Sequence, residues 1–201
     1  MMVRKTLFLV FGSLIFLHGL AASATMTPTD QVRGAVDAVL STLKLENLDR
    51  GAKREKIRSS LQQIFYYRAM SQRTLATNWR KASPAEKASF VKLFSTLLEN
   101  TYMGKIEAYT DERVEYVGEK IKGKKAIVDT MIVTGSVNIP ISYKTVLKDE
   151  KWLIYDVVVE EVSLISNYRS SYKAIVKKEG MDGLLSKMEQ KIKQQEKPKD
   201  Q

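Results

Sequence analysis

An α+β fold, with helices first, a four-stranded antiparallel sheet next and helices last, is what this sequence of 201 residues predicts. Three observations carry that reading. Residues 27–109 place apolar side chains at helical spacing. Residues 114–161 break into four β-rich runs separated by short turns. From Val162 the helical period returns. No internal repeat interrupts this order.

The first 24 residues stand apart from the fold. Arg4 and Lys5 form a positive start, Leu7–Leu17 an apolar run, and Ala22-Ser23-Ala24 a small-x-small cleavage site. This is the pattern of a cleaved signal peptide, and the apolar run is too short to cross a bilayer as a helix. The mature domain is therefore expected at residues 25–193, starting at Thr25, in an exported and periplasm-like setting. Residues 194–201 are Lys, Gln, Glu, Asp and Pro, which predicts a disordered tail.

The helices follow in order. Thr27-Pro28 reads as an N-cap followed by proline in the first turn, and Val32, Val36, Val39, Leu40 and Leu43 share one face. A second helix is expected over about 52–67, with Ile57, Leu61, Ile64 and Phe65 as its stripe. A third, over about 68–79, carries Met70, Leu75 and Trp79. Ser83-Pro84-Ala85-Glu86 is a capping-box start. The long helix behind it aligns Phe90, Phe94, Leu98, Tyr102, Ile106 and Tyr109, and at 1.5 Å per residue spans roughly 39 Å.

The strands are expected at 114–121, 126–133, 139–147 and 152–161. In the third, Ile139, Ile141, Tyr143, Thr145 and Leu147 share a face, against Ser142, Lys144 and Lys148. The fourth is apolar at both parities from Trp152 to Val159, so it is expected to be covered on both faces. It feeds a helix marked by Leu164, Ile165, Tyr168, Tyr172 and Ile175. Gly180 splits off a last helix with Leu184, Leu185, Met188 and Ile192.

Composition limits the chemistry. There is no cysteine, and the one histidine, His18, lies in the expected signal segment. A mature chain without His or Cys has no Ser-His-Asp or Cys-His catalysis and no ordinary zinc site. Glu160 and Glu161 are adjacent carboxylates at the end of the central strand, and strand neighbours point to opposite faces. No Gly-rich phosphate loop is present, and no hydrolase motif accompanies Ser163, Ser166, Ser170 or Ser171. The reading is a non-enzyme without metal or cofactor. Losing Arg4 and Lys5 takes the net charge from +10 to +8. In an exported chain that favours anionic lipid or acidic protein partners over nucleic acid. A solvated basic surface explains it equally well. The apolar and aromatic stripes are compatible with a solid core and with an apolar ligand site.

The stretch from Trp152 to Leu184 carries a resemblance. Trp152, Asp156-Val157, Val162-Ser163-Leu164, Asn167-Tyr168-Arg169, Tyr172 and Gly180-Met181-Asp182-Gly183-Leu184 resemble the pattern of the MlaC (toluene-tolerance) family. Met70-Ser71, Leu75, Trp79 and the stripe from Phe90 to Tyr109 also match it. The resemblance implies an apolar cavity between a curved sheet and helices. It implies a periplasmic phospholipid carrier that serves an inner-membrane ABC transporter complex and an outer-membrane lipoprotein complex. On that basis Phe94, Leu98, Tyr102, Ile106, Tyr109, Ile141, Tyr143, Leu164, Tyr168 and Tyr172 are expected to wall the cavity, with Arg169 at the head-group rim. Asp156, in a buried strand, needs a partner, and Arg169 is one candidate. Another membrane lipid, such as a hopanoid, and a non-carrier adaptor of the transporter are the alternatives. Two departures bear on the wall or rim: Glu161 where the family usually has Gly, and Tyr172 where it often has Phe.

Overall fold

The computed structural model describes residues 26–109, 113–135 and 137–197. The expected signal segment and residues 198–201 lie outside the described residues.

Helix α1 (Pro28–Leu43) begins as the sequence indicates, with the Thr27 side chain accepting from the Asp30 amide. Helix α2 (Arg50–Ile64) is capped by Asp49, which accepts from Ala52 N. It stops short of the expected end. Phe65 turns extended and bridges Ile154, and Tyr66 N donates to Ile154 O at 2.8 Å. Pairing with an open strand edge thus outcompetes another helical turn.

The single helix expected over 68–79 is two, α3 (Tyr67–Leu75) and α4 (Thr77–Lys81). Ala76 between them stands at φ 51°, ψ −116°. Alanine is the best helix former, so nothing in composition announces that break. Helix α5 (Pro84–Glu107) has the full capping box: Ser83 N donates to Glu86 Oε2 at 2.6 Å, and Glu86 N to Ser83 Oγ at 3.2 Å. It ends at Glu107, before Tyr109.

The curved sheet is a meander of five strands rather than four: β1 (Arg113–Lys122), β2 (Lys125–Val133), β3 (Asn138–Lys148), β4 (Lys151–Val159) and β5 (Val162–Ser163), in that spatial order and antiparallel throughout. The fourth strand does not continue through Glu161. Glu160 and Glu161 adopt φ 48° and 67° and turn the chain back as β5. The pair is a tight turn, not two faces of a strand, and Glu161 is exposed to solvent rather than set in a wall. Register aligns Tyr116, Thr130, Ile141 and Val159 in one row, with Val128, Tyr143 and Val157 in the next. Val117 and Tyr155 are the extra residues of two bulges.

Strand β4 is enclosed as expected, with α1, α2, α3 and α6 all packing near it. Asp156 on it is buried and satisfied. Its Oδ2 accepts from Lys144 Nζ (3.1 Å) and Ser163 Oγ (2.8 Å), and its Oδ1 from Ile165 N (3.2 Å). Arg169 is not its partner. The carboxylate instead ties β3 and β5 to the first turn of α6.

Helix α6 (Leu164–Glu196) contains one non-helical residue, Gly180, at φ 72°, ψ −174°. Gln195 Nε2 donates to Thr101 Oγ1 at 2.8 Å, and the Tyr168 hydroxyl also meets Thr101. In a straight helix those two residues would lie about 40 Å apart. The chain therefore folds back at Gly180 into two limbs, as the expected split requires. The second limb continues to Glu196, so residues 194–196 are helical where a tail is expected; packing of Ile192 on the core extends the helix past the apolar pattern.

Two apolar clusters result. The helical one gathers Met70, Leu75, Trp79, Phe90, Phe94, Leu97, Leu98, Ile165, Tyr172, Leu184, Met188 and Ile192. The sheet cluster gathers Val32, Ile64, Val128, Ile154 and Val157.

Candidate functional site

Helix α5 changes character along its length. Its first half is sealed into the helical cluster, where Phe94 is 0 % and Leu98 6 % exposed. Phe94 stacks on Phe90 at 5.4 Å and meets Tyr168 edge-on at 5.3 Å. Phe94 and Leu98, expected on a cavity wall, are buried in this packing. The reason is aromatic: Phe90, Phe94, Tyr168 and Tyr172 satisfy one another's ring faces and edges.

From Tyr102 onward the same stripe is open. Tyr102, Ile106 and Tyr109 are each half-buried although they continue the stripe. Across the interior, Ile141, Tyr143, Tyr116 and Val159 of the sheet, Ala35 and Val36 of α1 and Leu164 of α6 are half-buried too, each packed on the sheet cluster. In a solid core such positions would be closed.

Tyrosines border both clusters. Tyr172 and Tyr168 lie 5.5 Å apart, ring to ring. Burial raises the Tyr102 hydroxyl, and Tyr168 adds to that; burial likewise raises Tyr168. Tyr116 is pushed up to about 12, first by desolvation and then by Asp37, Tyr143 and Tyr109, so these groups converge on it. Tyr143 is also pushed up to about 12 by desolvation, offset by a bond with Thr130, yet its ring is only half-covered.

Two hollows of about 580 Å³ each open to solvent. One runs between α5 and the limbs of α6, floored by Leu97, Tyr168, Tyr172, Ile175, Leu184 and Met188 and edged by Lys187 and Lys191. The other is bordered by Arg68, Pro84, Lys87 and Val91. Neither is a closed cavity, and neither has sheet residues in its wall. The residues expected to form one wall are thus divided. Tyr168 and Tyr172 line the α5–α6 groove. Ile141, Tyr143 and Leu164 pack on the sheet cluster. Tyr102 and Ile106 occupy the half-open end of α5, and Tyr109 lies just past it.

Arg169 lies in neither hollow. Its Nε donates to Arg73 O at 2.8 Å, fastening α6 to the end of α3, while the Arg73 guanidinium stacks on Tyr155 at 4.2 Å. Expected at a head-group rim, Arg169 stands at a seam between helices. Tyr116 with Arg33 and Asp37 is absent from the expected set. The alternation of Val114 and Tyr116 on β1 is the signal that would have placed Tyr116 facing inward.

The family described as "MlaC protein" matches residues 33–190. The chain is similar to the intermembrane phospholipid transport system binding protein MlaC of Haemophilus influenzae, 23 % identical over 196 residues, covering 92 % of each chain. Its fold is similar to a phospholipid-binding protein of Ralstonia solanacearum, solved in complex with a phospholipid. That match has a TM-score of 0.78 at 21 % identity, over 86 % of this chain and 100 % of the other. Most of the chain lies within the family match, and the chain belongs to the MlaC family.

Proposed function

We propose that this protein is a periplasmic phospholipid carrier that passes lipid between an inner-membrane ABC transporter complex and an outer-membrane lipoprotein complex. One observation supports this above the others. Apolar side chains from α1, α5, α6 and the sheet point inward yet stay half-open. Tyr102, Ile106, Tyr109, Ile141, Tyr143 and Leu164 form the proposed wall, with Tyr168 and Tyr172 at the α5–α6 groove. Phe94 and Leu98 back it from behind. The name of the Haemophilus relative and the ligand of the Ralstonia structure point the same way.

Energetics set the mode of transfer. Two acyl tails carry about 30 methylenes, and at ~0.8 kcal/mol each their exposure would cost ~24 kcal/mol. Release into water is therefore too slow to be useful, and the carrier must dock and hand the tails over directly. The basic surface is suited to steering that encounter.

Mass spectrometry of organic extracts from the purified protein tests the reading. A diacyl phospholipid in near-stoichiometric amount is expected. Repeated extracts without any lipid would sink the carrier function and leave an adaptor role. A hopanoid in its place would overturn the cargo.

A further inference from the structure

We propose that the Tyr116 hydroxyl donates a hydrogen bond to an acyl-ester carbonyl of the bound lipid, which makes Tyr116 a specificity-determining residue for ester-linked cargo. This rests on the lipid-carrier reading above.

The Tyr116 hydroxyl is closed off from solvent and has no hydrogen-bond partner among the described residues. A buried phenol normally finds a partner, and an orphaned one costs about 1–3 kcal/mol. Its ring is held in place. It sits on β1 opposite Thr130, packs on the sheet cluster, and carries the Arg33 guanidinium 3.9 Å above its face. The donor is thus fixed in an apolar layer where the groups nearby leave it unused. Tyr143 differs in that Thr130 bonds its hydroxyl.

The surroundings select the acceptor. The Arg33 guanidinium stacks on the ring and Asp37 lies close enough to act on it, so charges of both signs flank Tyr116. A phosphate gains little at such a point. A neutral carbonyl oxygen gains the hydrogen bond without the desolvation penalty of a charge. In a phospholipid, carbonyls of that kind stand where the polar head ends and the tails begin. Because the hydroxyl is sealed within the protein, a lipid reaches it by parting the half-open residues packed around it, Ile141, Tyr143 and Val159.

The test compares the mature wild-type chain with Tyr116→Phe. Each is offered a diacyl phosphatidylglycerol and its dialkyl ether analogue, of equal chain length, in direct competition. Wild type is expected to favour the ester about five- to tenfold, because an ether oxygen is the weaker acceptor, and Tyr116→Phe to bind both alike. With a 13C-labelled ester carbonyl, binding to wild type should lower the carbonyl stretching frequency, and the variant should abolish that shift. Equal binding of ester and ether by wild type, or an ester preference and frequency shift kept by Tyr116→Phe, overturns the assignment. If the variant fails to fold, the wild-type ester-to-ether ratio and frequency shift decide alone. Wild type that binds neither lipid removes the carrier reading itself, which the extract measures separately.

Discussion

Glu160 and Glu161 hold left-handed backbone angles, which cost a residue with a Cβ roughly 1–2 kcal/mol each. The family resemblance implies glycine where Glu161 stands, and the turn between β4 and β5 suits one: glycine adopts that angle freely. Glu161 is exposed, so its side chain offsets none of the cost. Replacing Glu161→Gly should stabilise the protein by about 0.5–1 kcal/mol, after the extra freedom glycine gives the unfolded chain. Thermal melts should show a rise of about 1–4 °C, with lipid content unchanged. The other departure, Tyr172, lies in the helical core, where its buried hydroxyl has no hydrogen-bond partner among the described residues. At this scale the caps at Thr27 and Ser83 were legible, since they need only local spacing. The partners of Asp156 and Arg169 were not, because Lys144, Ser163 and Arg73 reach them only through the fold.

Gly180 decides how one long helix becomes two limbs. Its angles fall in a region open essentially to glycine alone. Gly180→Ala should therefore cost about 1–3 kcal/mol, although a Cβ there would meet nothing within 4 Å. Gly34→Ala, in the interior of α1 and equally uncrowded, should instead stabilise by up to about 1 kcal/mol. Urea unfolding of the two variants separates a backbone effect from a steric one; equal effects would contradict the turn at Gly180. Elements with a period or a punctuating glycine were readable. The early end of α2 and the break at Ala76 were not, because the edge of β4 and the helical core impose them from a distance. The short β5 was hidden by the apparent continuity of Val159 through Val162.

Across the whole molecule, α2 is fastened to α5 largely by charge. Glu107 pairs with Arg50 at 2.7 Å and with Arg54, while Arg58 Nη2 donates to Asn100 Oδ1 at 2.7 Å. Hydrogen bonds from Arg54 and Arg50 lower the Glu107 carboxyl to about 2 from its ordinary 4.5. A lowered pKa stabilises the fold above the ordinary value, and the gain is lost as the pH falls through the folded value. Unfolding free energy should thus exceed that of Glu107→Gln by about 1 kcal/mol at pH 6–7, allowing for solvent screening. The difference should close between pH 4.5 and 2; a gap that persists at pH 2 would show that the clasp acts by packing, not charge. At this scale the α+β order was legible from periodicity alone. The division of the aromatic stripe into sealed and open halves was not, because both halves use the same residue types.

The doubled-back α6 also fixes an order of events. Leu184, Met188 and Ile192 close the helical core around Phe90 and Phe94, from nearly a hundred positions further along the chain. A growing or translocating chain, delivered N-terminus first, leaves those phenylalanines uncovered until its last stretch arrives. The sheet can pair early through neighbouring strands, but the helical half is completed only by the C-terminal end. Chains cut short before Leu184 should therefore be held in a loose, chaperone-binding state.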